Sequence, residues 1–209
     1  MRYERKYHIG RFEYADVRSA IFSASNAFKV AYPKRTINSI YFDSITFDAL
    51  HDNLDGVSHR SKVRIRWYGD QHLKALSPVL EFKIKKNMLG MKKYESLSDF
   101  TLDRKGIEQL LNLDTIKVHN LKPVVLVKYE REYFESFDRK VRITLDKNIE
   151  YFGVNELFID AYSTKDSGLV LECKYDQGMD SEIDDIFQSI PFRVTKNSKF
   201  VNAVESYWF

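Results

Sequence analysis

The sequence predicts an α+β protein built around an antiparallel sheet or closed β-barrel. Three observations carry that prediction. Several segments rich in β-branched and aromatic residues alternate apolar and polar with period two. They succeed one another as hairpin-connected strands do, instead of alternating with helices as a parallel sheet requires. Their apolar faces need a covering layer, which a few amphipathic helical stretches can supply on the outside.

Taken in chain order, residues 2–9 alternate charged and aromatic side chains, as a strand does. Residues 16–28 read as a helix, with Asp16 as N-cap and Val17, Ala20, Ile21, Ala24 and Phe28 on one face. A short strand over 37–42 and a helical turn or two over 47–54 precede a break at Gly56. Strong strand signals follow at 62–68, 79–85, 124–134 and 140–146, with a helix expected over 103–113. The basic run Lys85, Lys86, Lys92 and Lys93 around Gly90 reads as a solvated hairpin loop. Residues 156–162 and 168–175 read as further strands, 180–190 as an acidic helix, and 196–207 as a last helix.

Composition narrows the function. A chain of 209 residues fits a single domain, no Gly/Ser- or Pro-rich linker divides it, and it has no repeat at solenoid or propeller spacing. Lys and Arg number 33 against 30 Asp and Glu, a net charge of +3, which argues against a surface devoted to nucleic acid. One cysteine excludes a disulfide framework and a cysteine-rich zinc site. The five histidines, His8, His51, His59, His72 and His119, lack ligand spacing. A phosphate loop, a dinucleotide fingerprint and a serine-hydrolase elbow are all absent. No run has the apolar length of a membrane span and the opening residues do not read as a signal peptide, so a cytoplasmic chain without a membrane segment is expected.

The charges are sorted by strand parity. Lys62, Arg64 and Arg66 share one face opposite Val63, Ile65 and Trp67. Glu81, Lys83 and Lys85 oppose Leu80, Phe82 and Ile84; Arg142, Thr144 and Asp146 oppose Val141, Ile143 and Leu145; Glu172 and Lys174 oppose Leu171, Cys173 and Tyr175. A solvated sheet face would account for charged positions on strands, and Arg64 and Arg66 could pair with Glu81 as a salt-bridge ladder. Two features favour a ligand instead. The polar faces are mainly Lys and Arg in a nearly neutral chain, and like charges on adjacent strands repel. If helices cover the apolar faces outside a barrel, the basic faces line its inside, where they call for an anion.

Several short motifs then fall into register with a known family. Glu4-Arg5-Lys6-Tyr7 is similar to the opening strand of the triphosphate tunnel metalloenzymes, the CYTH-like superfamily. Tyr41-Phe42-Asp43, Lys62 through Gly69, and Leu80-Glu81-Phe82-Lys83 resemble more narrowly the vacuolar transporter chaperone (VTC) polyphosphate-polymerase domain. Tyr129-Glu130-Arg131, Val141 through Asp146, Leu171 through Tyr175 and Lys196 through Phe200 continue the likeness in order across nearly the whole chain. Arg2 stands where the broader family's Glu-x-Glu-x-Lys signature has its first acid, which favours the polymerase branch.

The resemblance implies a closed antiparallel tunnel barrel with helices outside and the C-terminal helix near one mouth. It also implies ATP and inorganic polyphosphate as partners and Mn2+ or Mg2+ as cofactor. Carried over by position, Arg64, Arg66, Lys83 and Arg131 are the expected catalytic phosphate ligands. Lys6, Arg142, Lys196 and Lys199 are the further phosphate-binding residues, the last two on the terminal helix. Glu172 is the expected metal ligand, with Glu4 and Glu81 as looser acidic matches. Such residues suit phosphoryl transfer, which needs positioning and neutralisation of charge more than covalent help. Guanidinium groups grip two oxygens at once, and a carboxylate-held metal bridges phosphates. The expected activity is transfer of the γ-phosphoryl group of ATP to a growing polyphosphate chain. A tunnel triphosphatase, a non-catalytic polyphosphate-binding module and, weakest, a single-stranded RNA binder stand as alternatives.

Overall fold

The computed structural model describes residues 2–10, 12–24, 27–86, 89–176, 178–179, 183–184 and 193–209. Its strands are β1 (Arg2–Ile9), β2 (Lys29–Asp43), β3 (His59–Tyr68), β4 (Lys74–Ala75), β5 (Val79–Lys86), β6 (Leu89–Ser96), β7 (Phe100–Thr101), β8 (Lys122–Glu135), β9 (Arg142–Gly153), β10 (Thr164–Asp166) and β11 (Leu169–Asp176). The helices are α1 (Tyr14–Ser23), α2 (Asp48–Leu54), α3 (Arg104–Leu111), α4 (Asp114–Val118) and α5 (Lys199–Trp208). The main sheet runs β1-β11-β9-β8-β2-β3-β5-β6, with β10 beside β9 and a separate β4-β7 pair. Where the register is defined the pairing is antiparallel, as the hairpin spacing predicted. The expected barrel is not closed by hydrogen bonds: among the described residues the strand path ends at β1 and β6.

The chain divides into two compact units. The first comprises residues 1–35, 129–149 and 166–197, the second 36–128, 150–165 and 198–209. In the first, alternation sends Tyr7, Ile143, Leu145, Leu171 and Cys173 into a core covered by Val17 and Ile21 of α1. Cys173 is fully buried there, and burial pushes its thiol up to about 12, so it packs as an inert apolar group. In the second, Ile40, Val63, Ile65, Trp67 and Leu80 meet Leu110 of α3 and Ile116 of α4. Each unit therefore uses helices to cover the apolar faces of its strands, leaving the charged faces of those strands uncovered by this core.

Several boundaries move for identifiable reasons. α1 starts at Tyr14 with Glu13 at the cap, so Asp16 lies in its first turn, where its negative charge interacts favourably with the helix dipole. α3 starts where expected, and its cap is Asp103, whose carboxylate accepts from Gly106 N at 2.9 Å. Gly56, at φ +71°, ends α2 as expected. The hairpin expected around Gly90 forms, but its lysines lie in the paired strands β5 and β6 instead of a loop, with Lys83 opposite Lys92; the side chains of Lys85 and Lys86 lie outside the described residues. The strand expected over 156–162 is absent apart from a Val154–Ile159 bridge, because Asn155 Oδ1 accepts from the backbone of Leu157 and Phe158 and turns the chain. Of the acidic helix expected over 180–190, only residues 183–184 are described, and they are helical; the rest lies outside the described residues. No helix among the described residues is long and apolar enough to cross a membrane.

Candidate active site

In the first unit β1, β11 and β9 lie side by side, and their even-numbered residues form rows across the sheet. Glu4 pairs in register with Lys174 and Lys174 with Arg142; Lys6 pairs with Glu172 and Glu172 with Thr144. Alternation along each strand puts these side chains on the face opposite the core. Lys6 Nζ stands 3.0 Å from Glu4 and 3.7 Å from Glu172, and Lys174 Nζ is 3.7 Å from Glu4 and ion-paired at close range with Glu172. Two carboxylates and two ammoniums thus interlock. Burial works to raise the pKa of Glu172, but Lys174, then Lys6 and Arg131, hold it well below the usual carboxylate range. Burial and the neighbouring Glu172 also push Glu4 upward, and Lys6 and Lys174 outweigh them.

Arg131, on β8, is held differently. Its Nε and terminal nitrogen donate to the two oxygens of Asp146 at 2.5 and 2.7 Å, and its guanidinium lies 5.2 Å from the Tyr129 ring centre. The Asp146 side chain is wholly buried and that of Arg131 only 13% exposed. Burial opposes the guanidinium charge, and the carboxylate of Asp146 more than restores it. The result is a fork fixed in one orientation. Arg142 is exposed at the end of its row. Lys196 is exposed in the segment before α5, which is pinned to β1: Thr195 N donates to Lys6 O at 2.8 Å and Lys6 Nζ to Asn197 O at 3.4 Å. The expectation that Lys196 rides on the terminal helix is corrected here. Ser198 Oγ accepts from Val201 N and caps α5 at Lys199, so only Lys199 belongs to the helix.

The second unit carries a parallel arrangement on β2, β3 and β5. Tyr41, Arg64 and Glu81 form the middle row, with Ser39 and Arg66 on one side of it and Lys62 and Lys83 on the other. Arg64 Nε donates to Glu81 at 2.7 Å, with a second, closer contact from its terminal nitrogen, and its other nitrogen donates to the Tyr41 hydroxyl at 3.1 Å. Arg66 reaches the other Glu81 oxygen at 3.5 Å and Ser39 Oγ at 3.4 Å. The salt-bridge ladder considered from the sequence therefore forms, with one carboxylate serving two arginines. Burial would raise the Tyr41 phenol, but Arg64, Arg66 and Lys199 bring it below its ordinary value. Burial likewise opposes ionisation of Glu81, and Arg64 and Arg66 override it. Lys62 donates to Ser198 Oγ at 3.0 Å and lies 5.3 Å from the Phe200 ring centre, which itself packs 5.3 Å from Tyr41. Lys83 is exposed between Lys62 and Lys92.

The expected residues thus fall into two sets. Lys6, Arg131, Arg142, Glu172 and Lys196 belong to the first unit, and Arg64, Arg66, Lys83 and Lys199 to the second. Sequence reasoning missed Asp146 as the anchor of Arg131 and Tyr41 as a partner of Arg64. Their parity was the available signal, since both share strand faces with the cations they meet.

Residues 1–208 match the family described as the VTC domain. The chain belongs to the VTC domain family. No curated protein matches it. Among solved structures, this VTC domain is similar to HpAC1 from Hippeastrum, a proposed adenylyl cyclase described as having a dominant triphosphatase activity. That likeness has a TM-score of 0.56 at 14% identity and covers 99% of this chain and 96% of the other. It is also similar to a proposed adenylate cyclase from Vibrio parahaemolyticus, with a TM-score of 0.54 at 10% identity over 96% and 97% of the two chains. The VTC domain therefore has the triphosphate tunnel fold, mostly antiparallel sheet with a few helices and a C-terminal helix.

The likeness to the tunnel metalloenzymes noted from the sequence motifs implies a divalent metal. Among the described residues no three His, Cys, Asp or Glu side chains group as a complete cage. Glu172 and Glu4 fit the sparser mode in which a hard cation takes one or two carboxylates and completes its shell with water and substrate phosphates. Both are ionised and oxygen-bearing, and both adjoin lysines suited to those same phosphates.

Proposed function

We propose that this chain is a polyphosphate polymerase that transfers the γ-phosphoryl group of ATP to the end of a growing inorganic polyphosphate chain. VTC family membership directs the reading to phosphoryl chemistry, and the ion pairing of the site carboxylates with lysines and arginines supports the choice of reaction. Glu4, Glu81 and Glu172 are all held below their ordinary pKa. A carboxylate so stabilised as an anion is a weak base, ill-suited to taking a proton from water. Transfer to a terminal phosphate, already anionic near neutral pH, needs no strong base.

In this reading Arg131 and Arg64, each fixed by a carboxylate, present forks to phosphate oxygens, and Arg66 adds a second guanidinium beside Arg64. Lys6, Arg142 and Lys196 in the first unit, and Lys83 and Lys199 in the second, neutralise phosphate charge. Glu172, with Glu4 beside it, would hold Mn2+ or Mg2+, which neutralises phosphate charge and stabilises the leaving group. Because Lys6 and Lys174 already hold those carboxylates ionised, metal binding would need no proton release from them near neutral pH.

The test is incubation of purified protein with ATP and Mn2+, resolving products on a gel stained for polyphosphate while ADP and orthophosphate are quantified. A ladder with matching ADP is the expected result. Orthophosphate without polymer would replace the reading with a triphosphatase, and binding without turnover would replace it with an accessory module.

A further inference from the structure

We infer that Thr144 is a phosphate-binding residue: its hydroxyl donates a hydrogen bond to an oxygen of the bound triphosphate or polyphosphate. The inference rests on the phosphate-handling reading above and adds a residue that neither charge nor family likeness singled out. It starts from an anomaly. Thr144 Oγ1 is buried and has no hydrogen-bond partner among the described residues. A buried hydroxyl left unpaired is costly, and a protein interior rarely keeps one without reason.

The neighbours of that hydroxyl indicate what it serves. Thr144 lies between Arg142 and Asp146 along the polar face of β9, and directly across the sheet from Glu172. Side chains so opposed have Cβ atoms roughly 4.5–5.5 Å apart, close enough to bond. The Glu172 carboxylate would be the natural acceptor, but it is turned to Lys174 and Lys6 and no hydrogen bond from Thr144 forms. Asp146 is likewise occupied by Arg131. The hydroxyl is therefore left with an unspent proton in a row that contains Lys6 and adjoins Arg142 and Lys174. An acceptor entering such a row is an anion, and a phosphate oxygen fits: the cations neutralise its charge and the hydroxyl completes its hydrogen bonding.

Geometry also separates this role from ordinary packing. If Thr144 were present only for its shape, valine would replace it with relief, because the unpaired hydroxyl would go. The expected signature has opposite signs in two measurements. In the absence of ligand, Thr144→Val melts at the same temperature as the parent or higher. Its affinity for inorganic tripolyphosphate, read by calorimetric titration without turnover, falls roughly 10- to 100-fold, the range for losing one hydrogen bond to a charged group. Thr144→Ser, which keeps the hydroxyl, binds within a few-fold of the parent. Unchanged affinity in Thr144→Val overturns the inference, as does equal loss in both variants, which would assign the effect to the methyl group. If the parent itself fails to bind tripolyphosphate, the proposed function falls with it, an outcome distinct from either.

Discussion

Removing the Arg131 side chain tests whether the basic residues are merely tolerated or are built into the fold. On charge alone, a lysine- and arginine-rich strand face should lose little stability when one cation goes. The structure says otherwise for this residue. Arg131 donates two hydrogen bonds to Asp146, whose side chain has no exposure at all. Arg131→Ala leaves that carboxylate buried without its guanidinium, a class of change that costs about 3–5 kcal/mol. For a chain of this length each kcal/mol corresponds to about 2–4 °C in melting temperature, so the variant should melt roughly 6–20 °C below the parent. Thermal unfolding followed by circular dichroism measures it. The double variant Arg131→Met/Asp146→Leu, which removes both charges and keeps apolar volume, should recover most of the loss. A single variant within 2 °C of the parent, on the scale of a surface ion pair, would refute the buried-pair argument and return Arg131 to the tolerated class.

Arg66→Ala should destabilise far less, because Glu81 retains Arg64 when Arg66 leaves; a melting point as low as that of Arg131→Ala would contradict this. Glu172 has a folded pKa depressed below its unfolded value, so its stabilising contribution is full above the unfolded pKa and is lost as pH falls through the folded one. The melting-temperature gap between the parent and Glu172→Gln should therefore be widest near neutral pH and shrink below about pH 4; parallel profiles would remove the linkage. Tyr41 should ionise below the ordinary phenol value under the influence of Arg64, Arg66 and Lys199. An alkaline titration followed by near-ultraviolet phenolate absorbance should show an early component that Tyr41→Phe deletes.

The parts of the fold legible in the sequence were those governed by a local rule. Alternation located β3, β5, β8 and β11 to within a few residues, and the helix read over 103–113 matches the start of α3 at Arg104. The misreadings came where a local signal was overridden or where a competing one was overlooked. Pro33 and the exposed stretch around it interrupt the alternation of β2, yet the strand runs the full 15 residues from Lys29 to Asp43, with Pro33 itself exposed. Asn155 did the reverse, turning residues with strand-like composition through side-chain hydrogen bonds that composition does not register. A hairpin was expected around Gly90, but the extent of β6 was hidden by its lysines, because Lys83 and Lys92 directly opposite each other is a pairing that repulsion disfavours.

The candidate site shows the same division at the level of charge. Which residues are cationic and which face they occupy could be read from parity; who holds each one could not. The sequence suggested a basic face awaiting an anion, whereas Arg131, Arg64 and Lys6 each already have a carboxylate within 3 Å. That difference changes the expected energetics of binding. An unpaired cluster would gain Coulomb energy from phosphate but would be disordered by its own repulsion, so side chains would have to be ordered on binding. Here Asp146 and Glu81 have already fixed the two guanidiniums, and phosphate need only add to an arrangement already in place. The same carboxylates limit affinity, since each cancels part of a positive charge. For a polymerase that limit is useful: a chain growing one phosphate at a time must be held firmly enough to orient its end and loosely enough to slide. A fully uncompensated set of cations would bind a polyanion more tightly and release it more slowly. On this reasoning Glu81 favours turnover over retention, so Glu81→Gln, which leaves Arg64 and Arg66 with a neutral partner, should bind long-chain polyphosphate more tightly than the parent. Weaker binding would show instead that the carboxylate's service in orienting the two arginines outweighs the charge it cancels.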